Sequence, residues 1–275
     1  MALLMMLVVM GSSEAVLASE TENPILPVKL IEIAEGSDEI YGEGVLLDHQ
    51  ENPNSRFVSG GVNHTHQYIV ANALLILNND FGSNILNSEA NVKLLLEGTD
   101  WPDGFGNETD YGTFAGHFYN PVSGENWLGQ KSPTAKTRGV DYFNWAVNAY
   151  KAGNVSVAFD YLGKGTHYVS DINEPHHAQN LTAVNSNHTA FEKYVDTNRS
   201  NYKIDNNTIE NSYYESALAQ DVDSLMHNAA LNGWNLAAKA QKESTMEEAA
   251  SQSVKNAIIS VTQYLYKFGK TVELY

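Results

Sequence analysis

Not one of the 275 residues is a cysteine. Disulfides and thiolate metal sites are therefore excluded. Any metal must sit on histidine, carboxylate or backbone oxygen, donors that suit zinc, manganese or calcium. Basic residues are scarce, with 16 Lys and Arg against 33 Asp and Glu and a formal net charge of −17. Nothing here promises the basic face by which proteins capture polyanions, so no stable nucleic-acid complex is expected. Long apolar runs are few. The opening MALLMMLVVMGSSEAVLA is broken by Gly11, Ser12, Ser13 and Glu14, short of the about 20 apolar residues a membrane anchor needs. It ends in small residues and reads as a secretory signal cleaved after Ala18, although no Lys or Arg precedes it. Strand-like alternation is scarce, and internal repeats and low-complexity tracts are lacking after residue 60. Residues 1–18 are read as a signal peptide, 19–56 as a leader or propeptide and 57–275 as one domain of a secreted protein.

Hydrophobic residues make up 43% of the chain, enough for a core. The run HQYIVANALLILNND predicts a helix over about 65–79, and a second fits about 86–97. Further helices fit about 133–152, 154–172, 186–198, 210–242 and 246–268, with Pro175 stopping the one before it. The expected fold is a single all-α domain with long loops. Between residues 99 and 131, glycines and prolines alternate with Tyr111, Phe114, Phe118, Tyr119 and Trp127. A long Gly-rich loop with that many aromatics reads as functional.

Nine histidines occur, at 49, 64, 66, 117, 167, 176, 177, 188 and 227. His167 and Asp171 are four apart on a predicted helix, which places both side chains on one face, one turn apart. His188 and Glu192 repeat the spacing, and His177 lies between the pairs, just past Pro175. A single such pair is most simply a surface contact worth a few tenths of a kcal/mol. Two pairs with an intervening histidine suggest a metal, without saying which metal or which reaction.

The run HYVSDINEPHHAQN, residues 167–180, resembles the signature of the bacterial zinc-dependent phospholipases C, with Ser170 where Gly or Thr is usual. HTAFEKYVD (188–196) resembles the family's following His-x-x-x-Glu helix. GTFAGHFYNPVSG (112–124) resembles its His-Phe-Tyr loop, and GVNHTHQYIVANA (61–73) its first ligand helix. The resemblance implies an all-α domain around three zinc ions. His117, His167, Asp171 and Asp103 would hold one ion; Asp103 stands fourteen residues before His117. His177, His188 and Glu192 would hold a second, and His66 with a bridging Asp171 a third. Asp103 would also orient or deprotonate the attacking water as a general base. The implied reaction is hydrolysis of a glycerophospholipid, at a membrane or micelle surface, to diacylglycerol and a phosphorylated headgroup.

The family completes its third zinc with an N-terminal Trp exposed by processing. No Trp precedes His66 here; Phe57, nine residues upstream and directly after Arg56, is the candidate replacement. Phe114 matches one aromatic of the family's headgroup pocket, whereas Gly104 stands where a second is usual. The alternative is a zinc nuclease for single-stranded nucleic acid, similar in fold, whose motif reads Gly-Asp-x-His-Gln-Pro-Leu-His. A non-catalytic relative would lack a ligand, and all eight side chains are present. The neighbouring residues are expected to be bystanders. His64 yields to His66, His176 faces solvent, and His227 is a satisfied core or boundary histidine. Tyr142, Trp145 and Tyr150 belong to the core, and Asp141 and Asp196 are surface charges. With no heptad seam or large apolar stripe, a monomer is expected.

Overall fold

In α1 (Thr65–Phe81), every residue from Thr65 to Leu77 is buried. Buried on all sides over that stretch, this helix can only be central. The computed structural model describes residues 64–82, 85 and 88–275. The expected signal peptide, the leader and Phe57 lie outside them. His64, at the N-cap of α1, makes no side-chain cap hydrogen bond. Asp196 caps the helix from afar: its Oδ1 accepts from the Thr65 amide (2.9 Å) and hydroxyl (2.8 Å). The expectation of a surface charge there is thus corrected, because a helix start needs acceptors for its free N–H groups. Asp196 also takes up His64, with Oδ2 3.0 Å from Nδ1.

Ser88 caps α2 (Glu89–Asp100), its hydroxyl accepting from the Asn91 amide. A reciprocal Thr134/Thr137 box opens α3 (Ala135–Lys151). Helix α4 (Val155–Asn173) is buried at all but one position from Leu162 to Asn173 and lies against both α2 and α3. It meets α2 backbone to backbone: a Cβ on Gly163 would lie 2.2 Å from the Leu95 carbonyl oxygen. Pro175 then starts a four-residue turn of helix, α5 (Pro175–Ala178), and α6 spans His188–Asn198.

The single helix expected over 210–242 is two, α7 (Asn211–Ala219) and α8 (Val222–Ala240). The break falls at an extended Gln220, after which the Asp221 carboxylate accepts from the Ser224 amide and starts a new helix. The last helix, α9 (Met246–Thr271), packs on α8, α1 and α4. Among the described residues there is no strand, only an isolated bridge between Asn120 and Glu125. Tyr142 is buried as expected, whereas Trp145 is 47% exposed. Trp145 sits on the solvent side of α3, its ring edge-on to Tyr142 at 5.1 Å.

The loop from residue 101 to 134 is irregular but pinned. The buried-side guanidinium of Arg138 reaches out of α3 to Asp110 (2.5 Å), the Glu108 carbonyl (3.2 Å) and the Tyr168 hydroxyl (3.3 Å). Asp110 also accepts from the Gly116 amide, next to His117. No helix among the described residues is long and apolar enough to cross a membrane.

Candidate metal centre

Five helix or loop segments bring the eight expected side chains to one buried place. His66 comes from the first turn of α1, Asp103 and His117 from the pinned loop, His167 and Asp171 from the last turns of α4. His177 comes from α5, His188 and Glu192 from α6. All are buried except Asp103, which keeps 15% of its side chain exposed. Asp171 is the hub. Its Oδ2 lies 2.9 Å from His117 Nδ1 and 3.1 Å from His167 Nε2; its Oδ1 lies 3.3 Å from His177 Nδ1 and 3.8 Å from His66 Nε2. Asp103 stands 3.7 Å from His117, 3.8 Å from His167 and 4.0 Å from His66. On the far side, Glu192 Oε1 is 3.0 Å from His188 Nε2 and 3.6 Å from His177 Nε2.

The ring tautomers decide what this cluster can hold. His167 Nδ1 faces the Thr99 carbonyl at 2.8 Å, and His117 Nε2 faces the Glu108 carbonyl at 3.1 Å. A carbonyl only accepts, so both of these nitrogens carry hydrogen. The opposite nitrogens, His117 Nδ1 and His167 Nε2, then meet as two lone pairs 3.0 Å apart, beside the Asp171 carboxylate. Two neutral rings cannot hold that arrangement: a proton on His167, which Asp171 and Asp103 favour, bridges it without metal, and a shared cation would take that proton's place. Zinc bonds of about 2.0–2.1 Å in a tetrahedron place donors about 3.4 Å apart, close to the separations above. Both nitrogens of His177 and Oδ1 of Asp171 are buried with no hydrogen-bond partner among the described residues. Buried polar atoms left this way are costly unless something binds them. The donor set fits zinc.

Charge follows the same geometry. Burial and then the charge of His167 push His66 down to about 3. Burial also opposes charge on His167, but Asp171 and Asp103 outweigh it and raise the ring to about 9. Burial pushes Asp171 up; His167 and His177 outweigh it and hold the carboxylate well below its usual range.

The structure separates His64, paired with Asp196, from His66, as expected. His227 is satisfied by the Tyr119 hydroxyl at 3.0 Å. Phe114 is 8% exposed, with a left-handed backbone and its ring 5.8 Å from His117. His176 departs from expectation. It is fully buried, stacked on His188 at 5.1 Å, with Nδ1 2.7 Å from Glu174 and Nε2 2.9 Å from Asn187. Sequence reasoning treated residues 176 and 177 as pointing opposite ways. The tight turn after Pro175 sits between α4, α6 and α8 and buries both. Glu174, which no sequence spacing marks, is also a part of this turn: its carboxylate is fully buried and caps it by accepting from the His177 amide at 2.7 Å. Burial pushes Glu174 up, but the charge and hydrogen bond of His176 outweigh it and hold the carboxylate at about 2.

Residues 65–243 match the model of a family described as zinc dependent phospholipase C. The chain is 29% identical over 245 residues to a phospholipase C of Paraclostridium bifermentans, covering 76% of this chain and 59% of that protein. It is 40% identical over 98 residues to one of Bacillus cereus, covering 34% of each. Its fold is similar to that of the alpha toxin from Clostridium absonum, with a TM-score of 0.68 and 28% identity over 76% of this chain and 63% of that one. The chain thus spans less than two thirds of these relatives.

Proposed function

Because the chain belongs to the zinc-dependent phospholipase C family, we propose that it is a secreted hydrolase of phospholipids at a membrane or micelle surface. It cleaves the glycerol–phosphate ester to diacylglycerol and a phosphorylated headgroup, and works as a monomer. The observation that supports this most is the meeting of His117 Nδ1 and His167 Nε2 at 3.0 Å against Asp171, each ring held by a carbonyl behind it. In this reading three zinc ions are bound. Asp103, His117, His167 and Asp171 hold one; His177, His188 and Glu192 another; His66 and Asp171 a third, completed by the amino terminus at Phe57 after cleavage at Arg56.

Bound zinc supplies Lewis acidity toward the phosphoryl oxygens and lowers the pKa of water to about 7. The chain supplies the rest. The Thr99 and Glu108 carbonyls fix the ring tautomers, so that His167 and His117 aim their lone pairs inward. Asp103, partly open to solvent while its neighbours are sealed, is the carboxylate placed to accept a proton from the attacking water. Phe114, its ring beside His117, is the aromatic placed to meet the substrate headgroup.

The test is hydrolysis of phosphatidylcholine by the mature protein, with and without chelator, beside single-stranded DNA. Chelator-sensitive release of phosphocholine is expected. DNA cleavage with intact lipid would transfer the site to nuclease chemistry. Amino-terminal sequencing should begin at Phe57; a start at Ser19 would remove it from the third site.

A further inference from the structure

Glu174 is neither part of the helical His-carboxylate spacing nor among the eight residues just assigned. Its carboxylate is fully buried and engaged at both oxygens. Oε1 lies 2.7 Å from His176 Nδ1, and Oε2 accepts the His177 amide at 2.7 Å. That second oxygen keeps another lone pair, and it stands 3.8 Å from His188 Nε2. One donor atom each from Glu174, His177 and His188 falls within 4.8 Å of the others. Capping alone accounts poorly for this choice of residue. A cap needs one neutral acceptor, and a buried carboxylate is a costly way to provide it.

We propose that Glu174 is a fourth protein donor to the ion held by His177, His188 and Glu192. The inference rests on the zinc reading of the cluster. Three donor separations can be compared with the about 3.4 Å edge of a zinc tetrahedron. His177 to Glu192 is 3.6 Å, His188 to Glu192 is 3.0 Å and His188 to Glu174 is 3.8 Å. His176 is what aims the fourth donor. The Asn187 amide nitrogen donates to the Ala240 carbonyl (2.9 Å), so Asn187 Oδ1 faces His176 Nε2. With an acceptor at each nitrogen, the His176 ring donates on both sides. It anchors Oε1 and leaves Oε2 turned toward His177 and His188. Four protein donors close a zinc site, whereas a catalytic zinc keeps a position open. The ion at His177, His188, Glu192 and Glu174 therefore stiffens the cleft. Substrate is met on the side of Asp103, the most exposed of these donors among the described residues, at 15% against 4% for His188.

The experiment uses the mature protein and compares E174Q, E174D and H176Q with the parent. Glutamine still offers an acceptor to the His177 amide; aspartate keeps the charge but shortens the reach. Zinc per chain is counted after dialysis, and affinities come from competition with a chromophoric chelator. Cobalt replaces zinc to read coordination from visible absorption. Circular dichroism confirms that each variant folds. Loss of an outer contact weakens metal binding about 10–100-fold, so loss of a donor should exceed about 100-fold. E174Q and E174D are expected to lose one ion, or to hold it more than about 100-fold more weakly, with fading of the four-coordinate cobalt band. H176Q should stay within the outer-contact range. The proposal is overturned if E174Q and E174D bind every ion within about 100-fold of the parent, or if H176Q loses as much as they do. A parent without zinc would instead sink the zinc reading of the whole cluster.

Discussion

Replacing Gly163 by alanine tests whether the closeness of α4 to α2 holds the metal site. The added Cβ would sit 2.2 Å from the Leu95 carbonyl oxygen and 3.0 Å from the Gly98 Cα, where ordinary contact begins at 3.4 Å. Both obstacles are backbone, so neither can rotate away, and the helices must part by roughly 1 Å. Overpacking of this kind costs about 1–3 kcal/mol, and a rigid backbone clash belongs at the upper end. Alanine's better helix propensity returns about 1 kcal/mol. The balance is about 2 kcal/mol of destabilisation, or a melting point lower by roughly 4–8 °C in a chain of this size. The consequence reaches the site, because α2 carries Thr99, whose carbonyl receives His167 Nδ1 at 2.8 Å. Displacing it should weaken zinc binding about 10–100-fold. Thermal melts of the metal-free and zinc-loaded forms, with a chelator competition, measure both effects. G98A should move the same way by less, since its Cβ meets the Asp160 oxygen at 2.8 Å. A G163A protein that melts at or above the parent, or that binds zinc equally well, would refute the reasoning.

Asp171→Asn removes the hub carboxylate; if three ions bind as proposed, about two should be lost and phosphatidylcholine hydrolysis should fall by about 10²–10³-fold, read by metal analysis and product release. Zinc loading should expel protons. With His167 raised to about 9 in the metal-free chain, its ring is protonated at pH 8 and must become neutral to bind. Apparent affinity should therefore fall as pH drops below about 9. Calorimetry in buffers of different ionisation enthalpy measures the release, and buffer-independent heats would contradict it. Tyr264→Phe deletes the buried hydroxyl that donates to the Gly139 carbonyl at 2.7 Å. It should cost about 1–2 kcal/mol by thermal melt, yet leave zinc content unchanged; a loss of metal would mean the core and the cluster are coupled more tightly than their contacts suggest.

The helices were legible wherever an apolar face repeats without interruption, as in α1, α4 and α9. The division of α7 from α8 was not, because the hydrophobic pattern runs across Gln220 and Asp221 and only the cap geometry breaks it. The His-carboxylate pairs of α4 and α6 were legible since helical spacing fixes which side chains share a face. Asp103 and His117 each end a lone 3-10 turn, too short for spacing to mark a face, and they came from resemblance to a family. Glu174 and His176 were missed for a related reason. In one tight turn after a proline, adjacent residues can both face inward, and no periodicity marks them. Asp196 was read as a surface charge because its partner, the start of α1, lies far away in sequence.

That last contact governs the order of events in biosynthesis. His66 is made early, but the carboxylate that fastens its helix at Thr65 is 131 positions after that residue in the chain. Glu192 and His188 emerge only just before it. Until α6 has left the ribosome, neither the far half of the donor set nor the clasp on the near half exists. A nascent chain that stops short of α6 therefore holds Asp103, His117, His167 and Asp171 but neither His188 nor Glu192. The cleft is complete only once α6 has emerged, which ties the choice of ion to wherever folding finishes rather than to where synthesis begins.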